Sequence, residues 1–325
     1  MNILVTGGAG YIGSHVCKCL AAKGYLPIAY DNLSRGRRAA VKWGPLELGD
    51  IAERDRLRTV LEHYSPAAVM HFAAFAYVGE FMEKPLMYYR NNVGGTTVLL
   101  ETLADLRQIP FIFSSSCVTY GIPKKLPITE DHPQRPINPY GYSKLFVERI
   151  LADIGRASGL PWVSLRYFNA SGADPSGDLG EVHDPEPHLI PNILAAARDG
   201  KAVSINGTDY DTPDGTCVRD YVHVLDIADA HLRALEYLLA KGESCSLNLA
   251  NSRSHSVKEV IAAAERVCGC TIPANVAPRR PGDPAILIGA ADRARNLLGW
   301  VPTRSDLETQ IADAWNWMRC QRPLR

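Results

Sequence analysis

The feature that most constrains the fold of this chain is a glycine-rich turn that directly follows a short apolar segment near the N-terminus. Asn2–Thr6 has the composition of a buried strand, and Gly7-Gly8-Ala9-Gly10-Tyr11-Ile12-Gly13 opens a stretch whose apolar residues recur every four positions. In such a turn Gly7 permits a tight bend, Gly10 lets the backbone approach a pyrophosphate, and Gly13 lets the helix pack close to the sheet. The turn therefore predicts a dinucleotide site that includes Gly7, Gly10, Tyr11, Ile12 and Gly13.

The alternation of strand-like and helical segments predicts an α/β fold. Strands are predicted at residues 2–6, 26–31, 45–48, 67–72, 110–114 and 162–166, and helices at residues 11–23, 53–64, 86–106 and 140–157. Several of these strands are apolar throughout, as strands covered on both faces should be. The succession predicts a doubly wound, Rossmann-type parallel sheet with right-handed crossovers, whose ligands lie beyond the carboxyl ends of the strands.

The composition changes after about Asn169. Loops rich in Gly, Pro and Asp over residues 172–187 precede helices predicted at residues 189–198, 224–240 and 257–268. We therefore predict two domains. Residues 1–168 would form a Rossmann domain that binds the dinucleotide, and residues 169–325 a smaller C-terminal α/β lobe that binds the substrate. Segments of the two domains can interleave.

The balance of charges argues against a nucleic-acid or membrane partner. Lys plus Arg and Asp plus Glu each number 35 in 325 residues, so no overall field attracts a polyanion, and local groups must bind any anion. The first six residues lack the basic region of a signal peptide, and no apolar stretch approaches the roughly 20 residues that span a bilayer. We expect a cytoplasmic protein that binds a small ligand in a pocket.

Neither the cysteines nor the acidic loops predict a metal site. The eight cysteines include the C-x-C pairs Cys17/Cys19 and Cys268/Cys270 but no C-x-x-C, and we interpret them as free thiols in a reducing compartment. The loop at residues 209–215 is similar to a calcium-binding loop, yet its spacing is one residue out and the closing Glu is misplaced. We interpret that loop as polar and free of metal.

An acidic residue ends the second predicted strand. Asp31 lies 18 residues after the last glycine of the turn, where a carboxylate can accept both hydroxyls of an adenosine ribose and would repel a 2′-phosphate. Arg35, Arg37 and Arg38 follow closely and leave NADP open, although a solvated basic loop is the commoner explanation of such a cluster. We predict NAD as the cofactor, with Asp31 and the adjacent Asn32 among its contacts.

The motif Asn138-Pro139-Tyr140-Gly141-Tyr142-Ser143-Lys144 predicts the start of a helix that carries catalytic side chains. Asn138 can cap this helix, and Pro139 suits its first position. Tyr140 and Lys144 are four residues apart and therefore lie on one helix face. A tyrosine is a poor base at its ordinary pKa near 10, but a nearby ammonium group and nicotinamide charge favour the phenolate, which makes Tyr140 a candidate general base.

Hydroxyl side chains follow the fifth predicted strand, where a substrate should lie. Ser114, Ser115 and Ser116 come at the carboxyl end of that strand. We interpret Ser114 and Ser115 as turn-forming residues and Ser116 as the group that hydrogen-bonds the reacting hydroxyl. A Y-x-x-x-K pair alone occurs often by chance, and the presence of Ser116 and the glycine turn favours catalysis over an exposed helix pair.

Taken in order, the glycine turn, Asp31, the serine run and the Tyr140/Lys144 pair resemble the extended short-chain dehydrogenase/reductase family. The resemblance becomes closer at residues 165–169 (LRYFN), 207–210 (GTDY), 218–224 (VRDYVHV) and 277–283 (APRRPGD). These segments are similar to the UDP-glucose 4-epimerase family, and the match runs over nearly the whole chain. The resemblance implies a homodimeric isomerase of galactose and other carbohydrate metabolism that holds NAD tightly.

The resemblance also implies the chemistry. Tyr140 would take the proton of the sugar 4-hydroxyl while C4 passes a hydride to NAD, and the resulting 4-keto sugar would turn in the pocket and recover the hydride on its other face. Lys144 would bind the nicotinamide ribose and lower the pKa of Tyr140, and Ser116 would orient the 4-oxygen. The implied activity is the interconversion of UDP-glucose and UDP-galactose.

The resemblance assigns the binding contacts to particular positions of this sequence. Those of the UDP-sugar are Ser116, Tyr140, Asn169, His188, Leu189, Arg219, Arg280 and Asp283. Further NAD contacts are Asp50, Ile51, Phe72, Ala73, Ala74, Asn92, Tyr140, Lys144 and Tyr167. The charges among the UDP-sugar contacts are consistent with this assignment, because two arginines can neutralise a diphosphate and their planar donors suit its oxygens. Arginines exposed to solvent are the alternative interpretation.

Two departures from the family leave the sugar open. Ala76 stands where well-known members carry a lysine, which removes a contact to the cofactor or to a sugar hydroxyl. Residues 76–80 (AYVGE) and 188–191 (HLIP) are similar to UDP-xylose/UDP-arabinose 4-epimerases, so a UDP-pentose is the alternative substrate. Leu287 falls near the position that admits N-acetylated sugars, and its bulk argues against them.

Two other classes of protein share this fold. A related sugar dehydratase needs an acid/base pair, typically Asp-Glu, directly after the serine strand, where this chain has Cys117-Val118. A non-catalytic dinucleotide-binding relative usually lacks the tyrosine or the lysine, whereas this chain keeps Tyr140 and Lys144. The residues favour the epimerase over both.

Overall fold

Strands and helices alternate through most of the chain. The computed structural model describes residues 1–77, 79–106, 108–280 and 283–321. Within these residues the strands are β1 (Asn2–Thr6), β2 (Leu26–Asp31), β3 (Leu46–Leu48), β4 (Ala68–His71), β5 (Phe111–Ser116), β6 (Trp162–Tyr167), β7 (Asn169–Ser171), β8 (Val203–Asn206), β9 (Val218–His223), β10 (Cys245–Leu249), β11 (Ser254–Ser256), β12 (Ala274–Ala277) and β13 (Ile286–Leu287). The α-helices are α1 (Tyr11–Ala22), α2 (Arg54–Tyr64), α3 (Glu80–Glu83), α4 (Pro85–Tyr88), α5 (Thr96–Leu106), α6 (Pro139–Ser158), α7 (Leu189–Asp199), α8 (Val224–Leu239), α9 (Val257–Cys268), α10 (Asp292–Leu298) and α11 (Leu307–Cys320).

Seven strands form one parallel sheet in the order β3-β2-β1-β4-β5-β6-β10. The strand order reverses between β1 and β4, and helices cover both faces, so the predicted doubly wound, Rossmann-type α/β fold is confirmed. All six predicted strands are present. The seventh, β10, is not among the predicted strands, because Cys245–Leu249 alternates apolar and polar residues within a segment too short to show a period.

The side chains of β1 divide between two cores. Ile3 and Val5 pack into the core that α1 and α8 cover, whereas Leu4 packs into the core that α2, α5 and α6 cover on the opposite face. This division follows from the alternation of side chains along a strand. All three side chains are fully buried, and burial of each contributes about 1.5–3 kcal/mol. A strand covered on both faces must therefore be apolar throughout, as the sequence of β1 is.

The C-terminal lobe is organised around β9. This strand pairs with β7 and β13 in parallel and with β11 in the antiparallel direction, and β8 pairs separately with β12. Helices α7, α9 and α11 pack together over a third core. The chain returns to the large sheet through α8, which packs against α1, and through β10. The domain division at residue 168 stays a prediction, with residues 224–249 interleaved into the first domain.

The stretch predicted as one helix over residues 86–106 is not a regular helix. α4 ends at Tyr88, the chain makes a π-helical turn over Tyr89–Gly95, and α5 begins at Thr96. Within the turn, Asn92 donates a hydrogen bond to the carbonyl of Phe75 at 3.0 Å and accepts one from its amide at 2.8 Å. Such turns insert an extra residue and concentrate at functional sites. Here the turn directs Asn92 toward the loop after β4.

Two expectations from composition concern the thiols and the acidic loop. All eight cysteines are free in the structure. The loop at residues 209–215 is a polar turn in which Asp214 accepts hydrogen bonds from the amide of Thr216 at 2.8 Å and from the hydroxyl of Ser256. Separately, none of the helices in the described part of the chain has the length and apolar composition needed to cross a bilayer.

A buried ion pair connects α6 to the sheet. The guanidinium of Arg166 on β6 donates to the carboxylate of Glu148 on α6 at 2.7 and 2.9 Å, and both residues are almost wholly buried. Ser115 and Gln134 donate further hydrogen bonds to Glu148 at 2.5 and 2.8 Å. Removal of one member of a buried pair leaves a charge without its counter-ion, which costs far more than the loss of a surface pair.

We therefore predict that Glu148→Ala lowers the free energy of unfolding by about 3–5 kcal/mol. Urea denaturation of the variant and the wild type measures this difference. The matched control is Glu62→Ala, because Glu62 pairs with Arg58 at 3.0 Å on the exposed face of α2, and loss of such a pair costs at most about 1 kcal/mol. Equal destabilisation by the two substitutions would contradict the role given to the buried pair.

Candidate active site

A cleft of about 1190 Å³ lies beyond the carboxyl ends of β1, β4, β5 and β6 and is closed on its other side by the C-terminal lobe. The predicted contacts that line it are Gly7, Gly10, Tyr11, Ile12, Gly13, Phe72, Ala74, Ser116, Tyr140, Lys144, Tyr167, Asn169, His188, Leu189, Arg219, Arg280 and Asp283. The predicted contacts that lie outside its lining are Asp31, Asn32, Asp50, Ile51, Ala73 and Asn92. The cleft therefore brings together all of the predicted substrate contacts and most of the predicted cofactor contacts.

The glycine turn packs too closely for side chains. Gly7 has a φ of +72°, and a Cβ there would lie 2.6 Å from the amide nitrogen of Ala73 at the end of β4. A Cβ on Gly13 would lie 2.2 Å from the carbonyl oxygen of Gly7. No side chain of the described residues caps α1, which begins after Gly10. The first amides of α1 therefore face the cleft without a protein acceptor, which fits the phosphates of a dinucleotide.

Asp31 lies at the end of β2, beside the turn. Its carboxylate oxygens accept hydrogen bonds from the amides of Ala9 at 3.0 Å and Leu33 at 2.8 Å. Burial raises the pKa of Asp31, and these two hydrogen bonds oppose that rise. The carboxylate retains unused lone pairs for the hydroxyls of a ribose. Asn32 continues outward and donates to Asp50 at 2.7 Å.

Three of the predicted cofactor contacts have structural partners behind the cleft. Ile51 is buried against Gly95, where an added Cβ would lie 2.7 Å from its side chain. Asn92 is buried and bridges the loop after β4 to α6, because its amide nitrogen also lies 3.1 Å from the hydroxyl of Ser143. Ala73 supplies the backbone against which Gly7 packs. These residues hold the floor of the cleft in place.

Tyr140 and Lys144 lie on the first two turns of α6. Asn138 caps the helix by accepting from the amide of Gly141 at 2.8 Å, and Pro139 is its first residue, as the sequence predicted. The Lys144 ammonium donates to the carbonyl oxygen of Ser114 at 2.7 Å and lies 5.7 Å from the centre of the Tyr140 ring. One helix face therefore presents both groups to the end of β5.

Burial dominates the ionisation of both groups. It raises the pKa of Tyr140 well above its ordinary value, with further increases from Tyr167 and Cys117, while a hydrogen bond with Ser116 lowers it. Burial also lowers the pKa of Lys144 to about 7, opposed by the charge of Glu148. The expectation that the lysine favours the tyrosinate is therefore not met by these protein groups alone. A positive charge at the nicotinamide position would act in the required direction.

The serine run belongs to β5 rather than to a turn. The hydroxyl of Ser114 hydrogen-bonds that of Tyr167, and Ser115 donates to Glu148, so the interpretation of these two serines as turn-forming was wrong. Parallel pairing of β5 with β6 continues through Ser116, which keeps all three serines in the strand. Ser116 alone of the three combines cleft exposure with a contact to Tyr140.

Charged side chains from the C-terminal lobe form the opposite wall. Arg219 on β9 is buried and forms an ion pair with Asp283. Arg280 is exposed, and its guanidinium lies 3.2 Å from the amide oxygen of Asn206 in the amide orientation that satisfies both groups. Residues 281 and 282, within the quoted APRRPGD segment, and residue 78, within AYVGE, lie outside the described residues. Asn169 begins β7 on the same wall, and Leu287 is buried on β13.

Several residues of the cleft are not predicted from the sequence. Arg35, which the sequence places in a solvated basic loop, lies over the Tyr77 ring at 4.3 Å and pairs with Glu80 at 2.8 Å. Glu181 and His183 also line the cleft. The signal for Arg35 was present in the chain, but its aromatic and acidic partners are more than 40 residues away. No local pattern reveals such a contact.

Fold and site together define a class of protein. The chain is a dinucleotide-binding α/β protein whose tyrosine, lysine and serine lie together at the carboxyl end of a doubly wound sheet, facing a second lobe that supplies two arginines. Residues 3–250 match the model of the NAD dependent epimerase/dehydratase family. The chain belongs to this family.

Comparisons with individual proteins support membership of this family. The UDP-glucose 4-epimerase of Rhizobium meliloti (strain 1021) is 52% identical over 319 residues, which cover 97% of this chain and 96% of that protein. The crystal structure of UDP-glucose 4-epimerase from Brucella ovis in complex with NAD is 51% identical, with a TM-score of 0.94 and 97% of each chain covered. That of UDP-glucose-4-epimerase from Stenotrophomonas maltophila, with bound NAD and formylated UDP-arabinopyranose, is 39% identical, with a TM-score of 0.94 and 98% of each chain covered.

We predict that Gly13→Ala weakens NAD binding by about tenfold or more, because a methyl group forced against a backbone carbonyl costs about 1–3 kcal/mol. The measurements are the NAD content of the purified protein and calorimetric titration with NAD. Gly94→Ala is the matched control, since the nearest atom to its added Cβ lies 3.9 Å away. Unchanged NAD affinity in Gly13→Ala, at wild-type secondary structure, would refute the packing argument.

Proposed function

We propose that the protein is an NAD-dependent UDP-glucose 4-epimerase that interconverts UDP-glucose and UDP-galactose by inverting C4 of the hexose. The observation that carries this proposal is the convergence of Tyr140, Ser116 and Lys144 at one end of a cleft large enough for both a dinucleotide and a nucleotide sugar. Homologues over almost the full chain bear that name.

Tyr140 is the general base and acid. Its phenol lies beside Ser116, so the 4-hydroxyl of a bound hexose would hydrogen-bond both groups, and the phenolate would take the hydroxyl proton. A bound NAD would supply the acceptor, and then the donor, of the C4 hydride. Loss of that hydride and of the hydroxyl proton to Tyr140 would leave a 4-keto sugar. Return of the hydride to the opposite face of C4, with return of the proton from Tyr140 to the 4-oxygen, would give the epimer with no net change of redox state.

Lys144 supplies a positive charge near Tyr140 when it is protonated. Its ammonium donates to Ser114 O and retains two further N–H donors for the ribose next to the nicotinamide. With a pKa of about 7, Lys144 is only partly protonated at neutral pH in the protein alone. Acceptors from a bound ribose would favour the ammonium form, and that charge, with the nicotinamide charge, would lower the pKa of Tyr140.

The C-terminal wall binds the UDP group. Arg219 and Arg280 face the cleft from two different segments and supply fork-shaped donors for a diphosphate. Asp283, paired with Arg219, fixes the direction of that guanidinium and offers a carboxylate to the nucleoside hydroxyls. Asn169, His188 and Leu189 complete the contacts of this wall. Their cleft-lining positions support this assignment.

A UDP-pentose is the second candidate substrate. Ala76 lines the cleft where well-known hexose epimerases carry a lysine, so one polar contact to a ligand is missing. One solved homologue contains a formylated UDP-arabinopyranose together with NAD. A sugar that lacks the 6-hydroxymethyl group needs fewer contacts on that side. This observation favours testing UDP-xylose beside UDP-galactose.

We also propose that the protein is a cytoplasmic homodimer. Large apolar side chains are exposed on the surface formed by α4 and α6, with Leu86 at 77%, Phe146 at 44% and Tyr142 at 40% exposure. A second copy could cover this surface through the same helices, as a two-fold interface requires. The eight free thiols support a reducing compartment, which fractionation of the source cells would test.

The substrate assay combines two sugars and two tyrosine variants. Wild-type protein is expected to convert UDP-galactose to UDP-glucose, followed by chromatography, and Tyr140→Phe to lose about 10²–10⁴-fold in kcat because only the proton-transfer group is removed. Tyr142→Phe is the control, since Tyr142 lies on the same helix as Tyr140 but has 40% of its surface exposed. NAD content should be equal in all three proteins.

Other outcomes of this assay have definite meanings. Product from UDP-xylose alone would assign the enzyme to UDP-pentoses. No product from either sugar, with NAD bound, would overturn the proposed activity in favour of a dehydratase or a non-catalytic relative. Near-normal turnover of Tyr140→Phe would remove Tyr140 as the base.

The homodimer predicts a mass near twice 35.6 kDa in sedimentation experiments at micromolar concentration. Phe146→Glu should shift the protein toward the monomer, because a buried unpaired charge would then face the partner. Leu297→Glu, a substitution at 41% exposure on α10, should leave the mass unchanged. A wild-type protein that sediments as a monomer would contradict the proposal.

A further inference from the structure

Two histidines and two glutamates meet in the loop that precedes α7. Glu181, His183, Glu186 and His188, here called the loop cluster, occur within eight residues of sequence, and their ligand atoms all lie within 4.8 Å of one another. The side chains are 7%, 15%, 19% and 42% exposed, in that order. The cluster therefore joins four metal-ligating groups at one partly buried point, from residues that the sequence did not associate with a metal.

The spacing of the ligand atoms matches a tetrahedral cation. His183 Nδ1 lies 3.3 Å from oxygens of both Glu181 and Glu186, and His188 Nδ1 lies 3.4 Å from Glu186 Oε1. Four ligands at the usual zinc distances of about 2.0–2.1 Å are separated by about 3.4 Å from each other. Three of the four measured distances agree. The fourth, from His188 Nδ1 to Glu181 Oε1, is shorter at 2.5 Å.

One atom of the loop cluster has no hydrogen-bond partner. His188 Nδ1 is buried and, among the described atoms, makes no hydrogen bond, although Glu181 lies close to it. The contact therefore lacks hydrogen-bond geometry, and the ring nitrogen points into the space that the other three groups share. An unpartnered buried nitrogen is costly, and a metal ion at the centre of the cluster would remove that cost.

We propose that the loop cluster binds one divalent transition-metal cation of the zinc type, with Glu181, His183, Glu186 and His188 as its four ligands. Two imidazoles and two carboxylates suit zinc better than the hard cations calcium and magnesium, which prefer all-oxygen sites. Four protein ligands leave no open position, so the site is structural rather than catalytic. The metal takes no part in the chemical step of the epimerase reaction.

The metal would fix one wall of the cleft. The His183 ring contacts Tyr77, from the loop after β4, at 5.2 Å between ring centres, and His188 is the residue before α7. One ion would thereby fasten the loop of the C-terminal lobe in a single arrangement beside the large sheet. It would also direct His188 Nδ1 away from the substrate, so that Leu189 and the other ring nitrogen are left to contact the ligand.

Protons are the competing source of positive charge. Burial lowers the pKa of His183, but hydrogen bonds to Glu181 and Glu186 outweigh it and raise that pKa to about 9. Burial likewise lowers the pKa of His188, but the charges of Glu181 and Glu186 outweigh it and raise that pKa to about 10. Two imidazolium rings could therefore balance the two carboxylates without a metal. The two alternatives differ in what they bind, which can be measured without an activity assay.

The test uses the full-length protein after dialysis against a chelator. Titration with ZnCl2 by calorimetry should show one equivalent bound, and CoCl2 should give the visible absorption bands of tetrahedral Co²⁺. His183→Gln should weaken binding of either ion by at least about 100-fold, since loss even of an outer-shell partner costs 10–100-fold. Added ZnCl2 should raise Tm of the wild type but not of His183→Gln.

Matched variants exclude other ligands. His63→Gln removes an exposed histidine, and Cys270→Ser combined with Cys320→Ser removes the two exposed thiols. Both proteins should retain one tight equivalent. Glu186→Gln provides a second cluster variant if His183→Gln does not fold. Less than a tenth of an equivalent in the wild type, or binding that His183→Gln leaves unchanged, would overturn the proposal, whatever the epimerase assay shows.

Discussion

The close backbone contact at the glycine turn is the constraint on which the rest of the site depends. Gly13 packs against the carbonyl of Gly7, and Gly7 packs against the amide of Ala73, with no room for a Cβ at either glycine. Helix α1 can therefore begin in the crevice between β1 and β4, where the strand order reverses. That helix end directs its amides into the crevice. Backbone groups alone therefore determine where the phosphates of a dinucleotide lie.

The position of the chemistry follows from a second set of contacts on α6. Lys144 donates to the end of β5, and Glu148, one helix turn later, pairs with Arg166 on β6. Glu148 also favours the ammonium form of Lys144, against the effect of burial. The ion pair that attaches α6 to the sheet thus supports the charge of the lysine. Glu148 therefore contributes both to the stability of the protein and to the charge of Lys144.

The sequence predicted those parts of the molecule that local patterns determine. The strands β1 to β6 and the start of α6 follow from short apolar runs, the Asn138 cap and Pro139, all of which act within a few residues. The return of β10 to the sheet could not be predicted, because its pairing with β6 joins residues about 80 positions apart. The π-helical turn was missed for a similar reason, since Asn92 bonds to Phe75 in another segment.

The candidate site shows the same division between local and distant contacts. Tyr140, Lys144 and Ser116 were found from their spacing and their place at a strand end, and the structure brings them together. The loop cluster was missed because the pattern E-x-H-x-x-E-x-H fits neither one helix face nor a hairpin. Only the bends of that loop bring Glu181 and His188 within contact distance.

In the proposed enzyme, a residue near the sugar and a residue that binds the diphosphate lie on one strand pair in the C-terminal lobe. Leu287 on β13 is the register partner of Arg219 on β9, and paired positions of parallel strands direct their side chains to the same face. Arg219 in turn pairs with Asp283, which precedes β13 by only a few residues. Leu287 and Arg219 therefore lie side by side on one face of the strand pair. Because Asp283 and Leu287 belong to the same short segment, the segment that borders the sugar in the proposed enzyme also sets the direction of a guanidinium that binds the diphosphate.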